Sequence, residues 1–250
     1  MNTPVPIWKT SAAAATMAVS LAALGVLSLA SGDFAFQWQP VPPEVPARAT
    51  LAMIVGALEV LAGALFFIDR LRAVGAWLAA ALLVGWTALH VPAIVQRPAS
   101  IGDWLGIAET AAMASAALMW AAGESGGVHV RAIRRGTMVA FGLSAIIFGA
   151  SHFAYADFTA SMIPAWLPQR LALAYFTGAA HALAGLAIAS GIQRRLAAAL
   201  ETVMMASFVV LVHIPRVAAQ PGSRMEWTML FVALLLSGSA GVVAGVSRER

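Results

Sequence analysis

His90 and His213 each stand two residues before a proline, in His90-Val-Pro92 and His213-Ile-Pro215, within long apolar stretches. An imidazole so placed can pass a proton, ligate a haem iron or hydrogen-bond a ligand carbonyl. Trp86 lies four residues before His90 and shares its helix face. Glu109 enters the next apolar stretch at comparable depth, so a His90–Glu109 contact within one hairpin is expected. His152 closes a further stretch in Ser151-His152-Phe153. Deeper still are Glu59 and His181, each about halfway between flanking charges (Arg48 and Asp69, Arg170 and Arg194). An ionisable side chain near a bilayer centre costs about 2.5–3.5 kcal/mol on insertion scales, so each is a candidate for function. Other readings stand beside these. His152, and the His90/His213 pair, can belong to an interfacial belt, half-wet beside tryptophan. Glu59 and His181 can form an ion pair, a proton relay, half of a ligand site, or a plain packing hydrogen bond. Glu201 sits near Arg194 and Arg195 and reads as an interfacial partner of those arginines.

What must position these groups is written twice. Pro42, Pro46, Arg48, Gly56, Gly63 and Arg72 recur as Pro164, Pro168, Arg170, Gly178, Gly185 and Arg194, at a constant offset of 122 residues. At an offset of 123, His90, Pro92, Pro98, Ser100 and Trp104 recur as His213, Pro215, Pro221, Ser223 and Trp227. A period this long is a duplicated half-protein. The frames Gly56-x-x-Glu59-x-x-x-Gly63 and Gly178-x-x-His181-x-x-x-Gly185 place two glycines on one helix face with the polar residue beside them. Small residues admit a close neighbour, so these faces are expected inside the bundle.

Hydrophobic residues make up 61% of the chain and charged residues 10%. A soluble domain usually carries about 25% charged residues, so this chain faces lipid. Its net charge of +4 is spread between apolar blocks, without the basic stripe of a nucleic-acid-binding protein. Eight blocks are long enough to span: roughly Ala12–Ala30, Thr50–Ile68, Ala73–His90, Trp104–Ala121, Gly136–Tyr155, Leu171–Ser190, Leu196–His213 and Trp227–Val246. They lack the period of two that a strand requires, so helices are expected. The expected fold is all-α: a polytopic membrane protein with two parallel, pseudo-symmetric four-helix repeats, residues 1–124 and 132–250, joined by a cytoplasmic linker at 125–131. The first block resembles a signal peptide but has a counterpart in the fifth block, and it reads as a retained span.

Ten of the 15 basic residues gather at one end of these spans: Lys9, Arg70, Arg72, Arg131, Arg134, Arg135, Arg194, Arg195, Arg248 and Arg250. The positive-inside rule therefore predicts cytoplasmic termini. With no cysteine, the chain has no disulfide, thiolate metal site or dithiol relay. No nucleotide-binding motif is present, and no metal site is expected.

The ending Phe148-Gly149 with His152-Phe153, the loop Met162-Ile-Pro164-Ala-Trp166-Leu-Pro168 and the glycine frame around His181 resemble the DoxX-like membrane proteins. The first repeat keeps the Gly-x-x-Glu-x-x-x-Gly frame of that family, and the second carries His181 in place of the glutamate. The resemblance implies a bacterial inner-membrane protein, quinone-linked or accessory to a membrane or periplasmic oxidoreductase, and not an independent enzyme. Quinone reduction needs a proton donor beside each carbonyl, which His90, His213 or Glu109 can supply. A proton-coupled transporter using Glu59 and His181, a haem protein with His90 and His213 as axial ligands, and a scaffold or assembly factor are the other readings.

Overall fold

The computed structural model describes residues 12–125 and 129–247. Lys9, Arg248, Arg250 and linker residues 126–128 lie outside them. The described chain forms α1 (Ala12–Ser31), α2 (Arg48–Leu65), α3 (Arg72–Leu89), α4 (Val91–Gln96), α5 (Ile101–Ser125), α6 (Val130–Ala154), α7 (Ala156–Met162), α8 (Arg170–Ser190), α9 (Arg194–Phe208), α10 (Ile214–Ala219) and α11 (Arg224–Val246). Eight helical stretches are long and apolar enough to cross a membrane, with α3–α4 and α9–α10 each counted as one. The apolar blocks therefore form helices, as their lack of alternation requires. Large apolar side chains such as Phe176, Leu183 and Val203 stay exposed on α8 and α9, a surface suited to lipid.

Local chemistry sets the ends. Ser100 and Ser223 accept hydrogen bonds from the backbone N–H of Asp103 and Glu226, both at 3.3 Å, at the starts of α5 and α11. Trp104 and Trp227 then donate from Nε1 to the carbonyls of Pro98 and Pro221, both at 2.9 Å. Ala47 and Gln169 hold left-handed conformations (φ 54° and 49°) immediately before α2 and α8. Two spans outrun their sequence limits: α5 continues to Ser125 and α6 begins at Val130, so residues 125, 130 and 131 of the expected linker are helical. Arg131, Arg134 and Arg135 extend α6 beyond its apolar stretch, because a helix does not stop where its side chains become polar.

Proline acts differently in the two histidine strings. Pro92 separates α3 from α4 at His90, whereas the equivalent stretch before Pro215 continues as a π-helical segment, Val209–His213. A proline lacks the N–H that would bond the carbonyl a turn earlier, so the helix breaks or widens there.

Neighbouring helices close a ring: α1–α2–α3–α5–α6–α8–α9–α11 and back to α1, pinched where α5 meets α11. These two are the most buried spans, with 72% and 61% of their apolar windows inside the protein against 28% for α2. The α5–α11 pair is thus a shared wall between two lobes. One lobe is bounded by α1, α2 and α3, the other by α6, α8 and α9. The glycine faces lie where expected. A Cβ on Gly63 would fall 2.3 Å from the Ala18 carbonyl oxygen, and one on Gly185 would fall 2.4 Å from that of Gly142. Both α1–α2 and α6–α8 pack backbone against backbone.

Candidate functional site

Each lobe encloses its own polar cluster. In the first, Gly32 (φ 63°) ends α1, and the following loop turns back into the bundle through a short 3-10 turn, Phe36–Trp38. Trp38 and Gln39 become buried. The Gln39 side-chain oxygen accepts from Ala35 N–H at 2.7 Å, which fixes the amide, and its Nε2 donates to Glu59 Oε1 at 2.5 Å. Trp86 Nε1 donates to the same oxygen at 3.2 Å. Glu59 Oε2 is buried with no hydrogen-bond partner among the described residues. Trp38 Nε1 donates to Glu109 Oε2 at 2.7 Å. Two consecutive loop residues therefore each hold a carboxylate, one from α2 and one from α5.

Two arginines pin this loop. Arg48 pairs with Asp33 and sits 5.2 Å over the Phe34 ring. Arg224 reaches across from α11, donates to the Phe34 carbonyl and lies 3.6 Å from Asp33 Oδ2 and 4.4 Å over Phe36. Phe34 in turn meets Trp86 edge-on at 5.8 Å.

The second lobe is built from helices alone. His181 Nδ1 and Glu201 Oε1 are 2.6 Å apart, and both side chains are almost fully buried. The His152 ring packs against His181 at 5.1 Å between centroids, and Phe208 and Phe148 close around them. His152 Nδ1 lies 2.9 Å from Thr177 Oγ1 and 3.3 Å from the Ala174 carbonyl. Glu201 Oε2 has no hydrogen-bond partner among the described residues.

Several sequence expectations change. Glu59 and His181 do not pair: they sit in separate lobes, and no hydrogen bond joins them among the described residues. No hydrogen bond joins His90 and Glu109 among the described residues, in place of the contact expected within one hairpin. The His90 ring lies on Gly106, where a Cβ would come within 2.7 Å of Cε1, while Glu109 is taken by Trp38. The absent side chain at Gly106 lets the imidazole settle on α5 itself. Trp86 serves the deeper Glu59 rather than His90. His152 joins the His181 cluster instead of an interfacial belt, and Glu201 is not an interfacial partner of Arg194 but the buried partner of His181. His213 is half-buried in the π-helical segment, and its Nδ1 lacks a partner among the described residues. Near it, Arg216 binds Glu226 through two hydrogen bonds of 2.8 and 2.7 Å.

Trp38, Gln39 and Thr177 escaped the sequence reading, and Glu201, interfacial in that reading, is buried. Loop glutamines and tryptophans normally face water, so nothing in Gln37-Trp38-Gln39-Pro40 marks an inserted segment. Glu201 did carry a signal. Seven residues past Arg194, at 1.5 Å each, it lies about 10 Å into the span.

The first cluster offers a carboxyl group held through one oxygen by neutral N–H donors, with the other oxygen open to a proton or a ligand donor. The second offers an imidazole–carboxylate pair with another imidazole beside it. Among the described residues, no three His, Asp or Glu side chains gather where they could hold one metal ion. His90 belongs to the lobe of α3 and lies on Gly106 of α5, and His213 belongs to the segment that follows α9 in the other lobe.

Residues 141–243 match a protein-family model described as a domain of unknown function (DUF8561). That stretch contains His152, His181, Glu201 and His213, and none of the first-lobe cluster. No curated protein and no solved structure matches the chain.

Proposed function

We propose that this is a DoxX-like, quinone-linked membrane protein that serves as a ligand-binding or accessory subunit of an oxidoreductase system. The observation that carries this reading is the inserted loop, whose Trp38 and Gln39 hold the Glu109 and Glu59 carboxyl groups from the proline-rich end of the bundle. A quinone carbonyl needs an N–H or O–H donor and a nearby proton source as it is reduced. The second N–H of Gln39 and a Glu59 protonated on Oε2 are donors of that kind in the first lobe, whose Trp38 and Trp86 N–H groups hold the carboxyl groups in place. In the same proposal the chain is two parallel four-helix repeats in a bacterial inner membrane, with the arginine-rich end and both termini cytoplasmic. The reciprocal neighbours of the two halves, α1 on α11 and α6 on α5, support the repeat.

The test is a titration of the full chain in nanodiscs with ubiquinone-1, followed by tryptophan quenching. Saturable quenching that weakens at least tenfold in Glu59→Gln, and loses its saturable part in a Trp38→Phe/Trp86→Phe variant, is expected. Quenching no different from that of the lipid-partitioned quinone alone overturns the reading.

A second reading is proton-coupled transport. It is favoured by the buried carboxyl oxygens left without partners in both lobes, Glu59 Oε2 and Glu201 Oε2. Solute or proton flux unchanged by Glu59→Gln in sealed vesicles counts against it.

A further inference from the structure

The His152–His181–Glu201 cluster has a proton count that can be worked out from its partners. Thr177 has one hydroxyl hydrogen, and it points back to its own helix, to the carbonyls of Leu173 (3.0 Å) and Ala174 (3.1 Å). Both groups near His152 Nδ1, the Thr177 oxygen and the Ala174 carbonyl, are therefore acceptors. His152 must carry its hydrogen on Nδ1, which leaves Nε2 with a lone pair. His181 Nδ1 faces a carboxyl oxygen at 2.6 Å; beside an ionised Glu201 it donates to that oxygen, which leaves its own Nε2 bare. Two neutral imidazoles beside an ionised Glu201 would leave one negative charge in the bundle, with Glu201 Oε2 unpartnered. An uncompensated buried charge of this kind is strongly disfavoured. One additional proton makes the cluster neutral, and two more would make it cationic.

Among the described residues, the helices packed on α8 bring no other ionisable group into the cluster. From α6 comes His152 and from α9 Glu201, while Asp157 on α7 is exposed. The cluster is also stepped along the span. His152 sits on Gly178, nearly one turn from His181 toward the proline-rich end, and Glu201 approaches from the helix that starts at Arg194 in the arginine-rich end.

We infer that the second lobe contains a binding site for a single proton, shared among Glu201, His181 and His152 and oriented by Thr177. Its two bare Nε2 atoms give that proton alternative seats at neighbouring depths. This site stands apart from the quinone-linked reading of the first lobe, and its test uses no quinone.

The test is nitrogen NMR of the full chain in nanodiscs, with labelled histidine, across a pH series, each histidine being assigned by its conservative variant. At the alkaline end, both His152 and His181 should show the Nδ1–H tautomer. On acidification, their signals should move together through one shared step. Glu201→Gln, which keeps the shape of the side chain and removes the charge, should abolish that step while the far-UV spectrum and elution volume stay unchanged. Thr177→Val removes one of the two acceptors at His152 Nδ1, so it should raise the Nε2–H share at His152 while the Ala174 carbonyl keeps part of the Nδ1–H form. It should leave the His181 tautomer in place, a change that mere packing would not produce. Independent behaviour of the two rings, or an Nε2–H tautomer at His181 at the alkaline end, overturns the proposal. So does a Glu201→Gln protein whose His181 signals follow the wild-type course.

Discussion

The two lobes share their packing and differ in their chemistry. Gly56 and Gly63 bring α2 against α1 as Gly178 and Gly185 bring α8 against α6, and Trp104 repeats the hydrogen bond of Trp227 at the same 2.9 Å. Between those matched frames, Glu59 is met by neutral donors from a loop and from α3, whereas His181 is met by a carboxylate from α9. The outer segments differ as well. Phe34, which follows Asp33, is buried against Trp86, while Phe158, which follows Asp157 beyond the end of α6, is 65% exposed. Close backbone packing tolerates almost no change in side-chain volume, so it constrains both halves alike. A buried polar group needs partners only in its own surroundings, so each lobe reached its own solution.

That contrast can be broken in order of severity. Valine at Gly63 or at Gly185 drives a Cβ into a carbonyl oxygen, and neither variant should yield folded, monodisperse protein in detergent. Folding of one variant alone would mean the two helix pairs are not matched. Next, Glu201→Ala should cost about 3–5 kcal/mol in denaturant unfolding, since it strips a buried pair of one partner. Its first-lobe counterpart, Glu59→Ala, orphans the Gln39 and Trp86 donors at about 1–3 kcal/mol each. A loss at Glu59 that far exceeds the loss at Glu201 would show a charge partner the first lobe lacks in this structure.

Gln39→Leu should cost about 1–3 kcal/mol and alter Trp38 and Trp86 fluorescence, with the histidine signals of the second lobe unmoved. A response in those signals would mean that the α5–α11 wall transmits between the lobes. The smallest effect belongs to Trp104→Phe and Trp227→Phe. Each removes one exposed hydrogen bond and should lower stability by about 0.5–1.5 kcal/mol, by equal amounts in the two halves.

The sequence announced the spans and the glycine faces, because each follows from local periodicity or spacing. It named Glu59, His181, His152 and Glu109 as polar groups out of place. It could not name their partners. Trp38 and Gln39 reach their carboxylates only because a loop folds inward, and a loop's direction is set by contacts with distant helices such as that of Arg224 with Phe34. Glu201 was misjudged because its nearest charges in sequence are Arg194 and Arg195, whereas its bond is to the adjacent helix. Depth along the helix, reckoned from Arg194, was the better guide.

The pinched ring has a consequence for the halves made separately. Residues 12–125 expressed alone would uncover the flank of α1 that α11 covers, and the flanks of α5 that α6 and α11 cover. In the whole chain, α6 meets α5 as α1 meets α11, so a second copy of the same half can supply both missing neighbours. If the halves are repeats, as proposed above, an isolated half would find the neighbours it lacks on a second copy of itself, and co-expressed halves would have to choose between self-pairing and reassembling the parent. Only the second choice brings a carboxylate lobe and a histidine lobe to opposite sides of one wall.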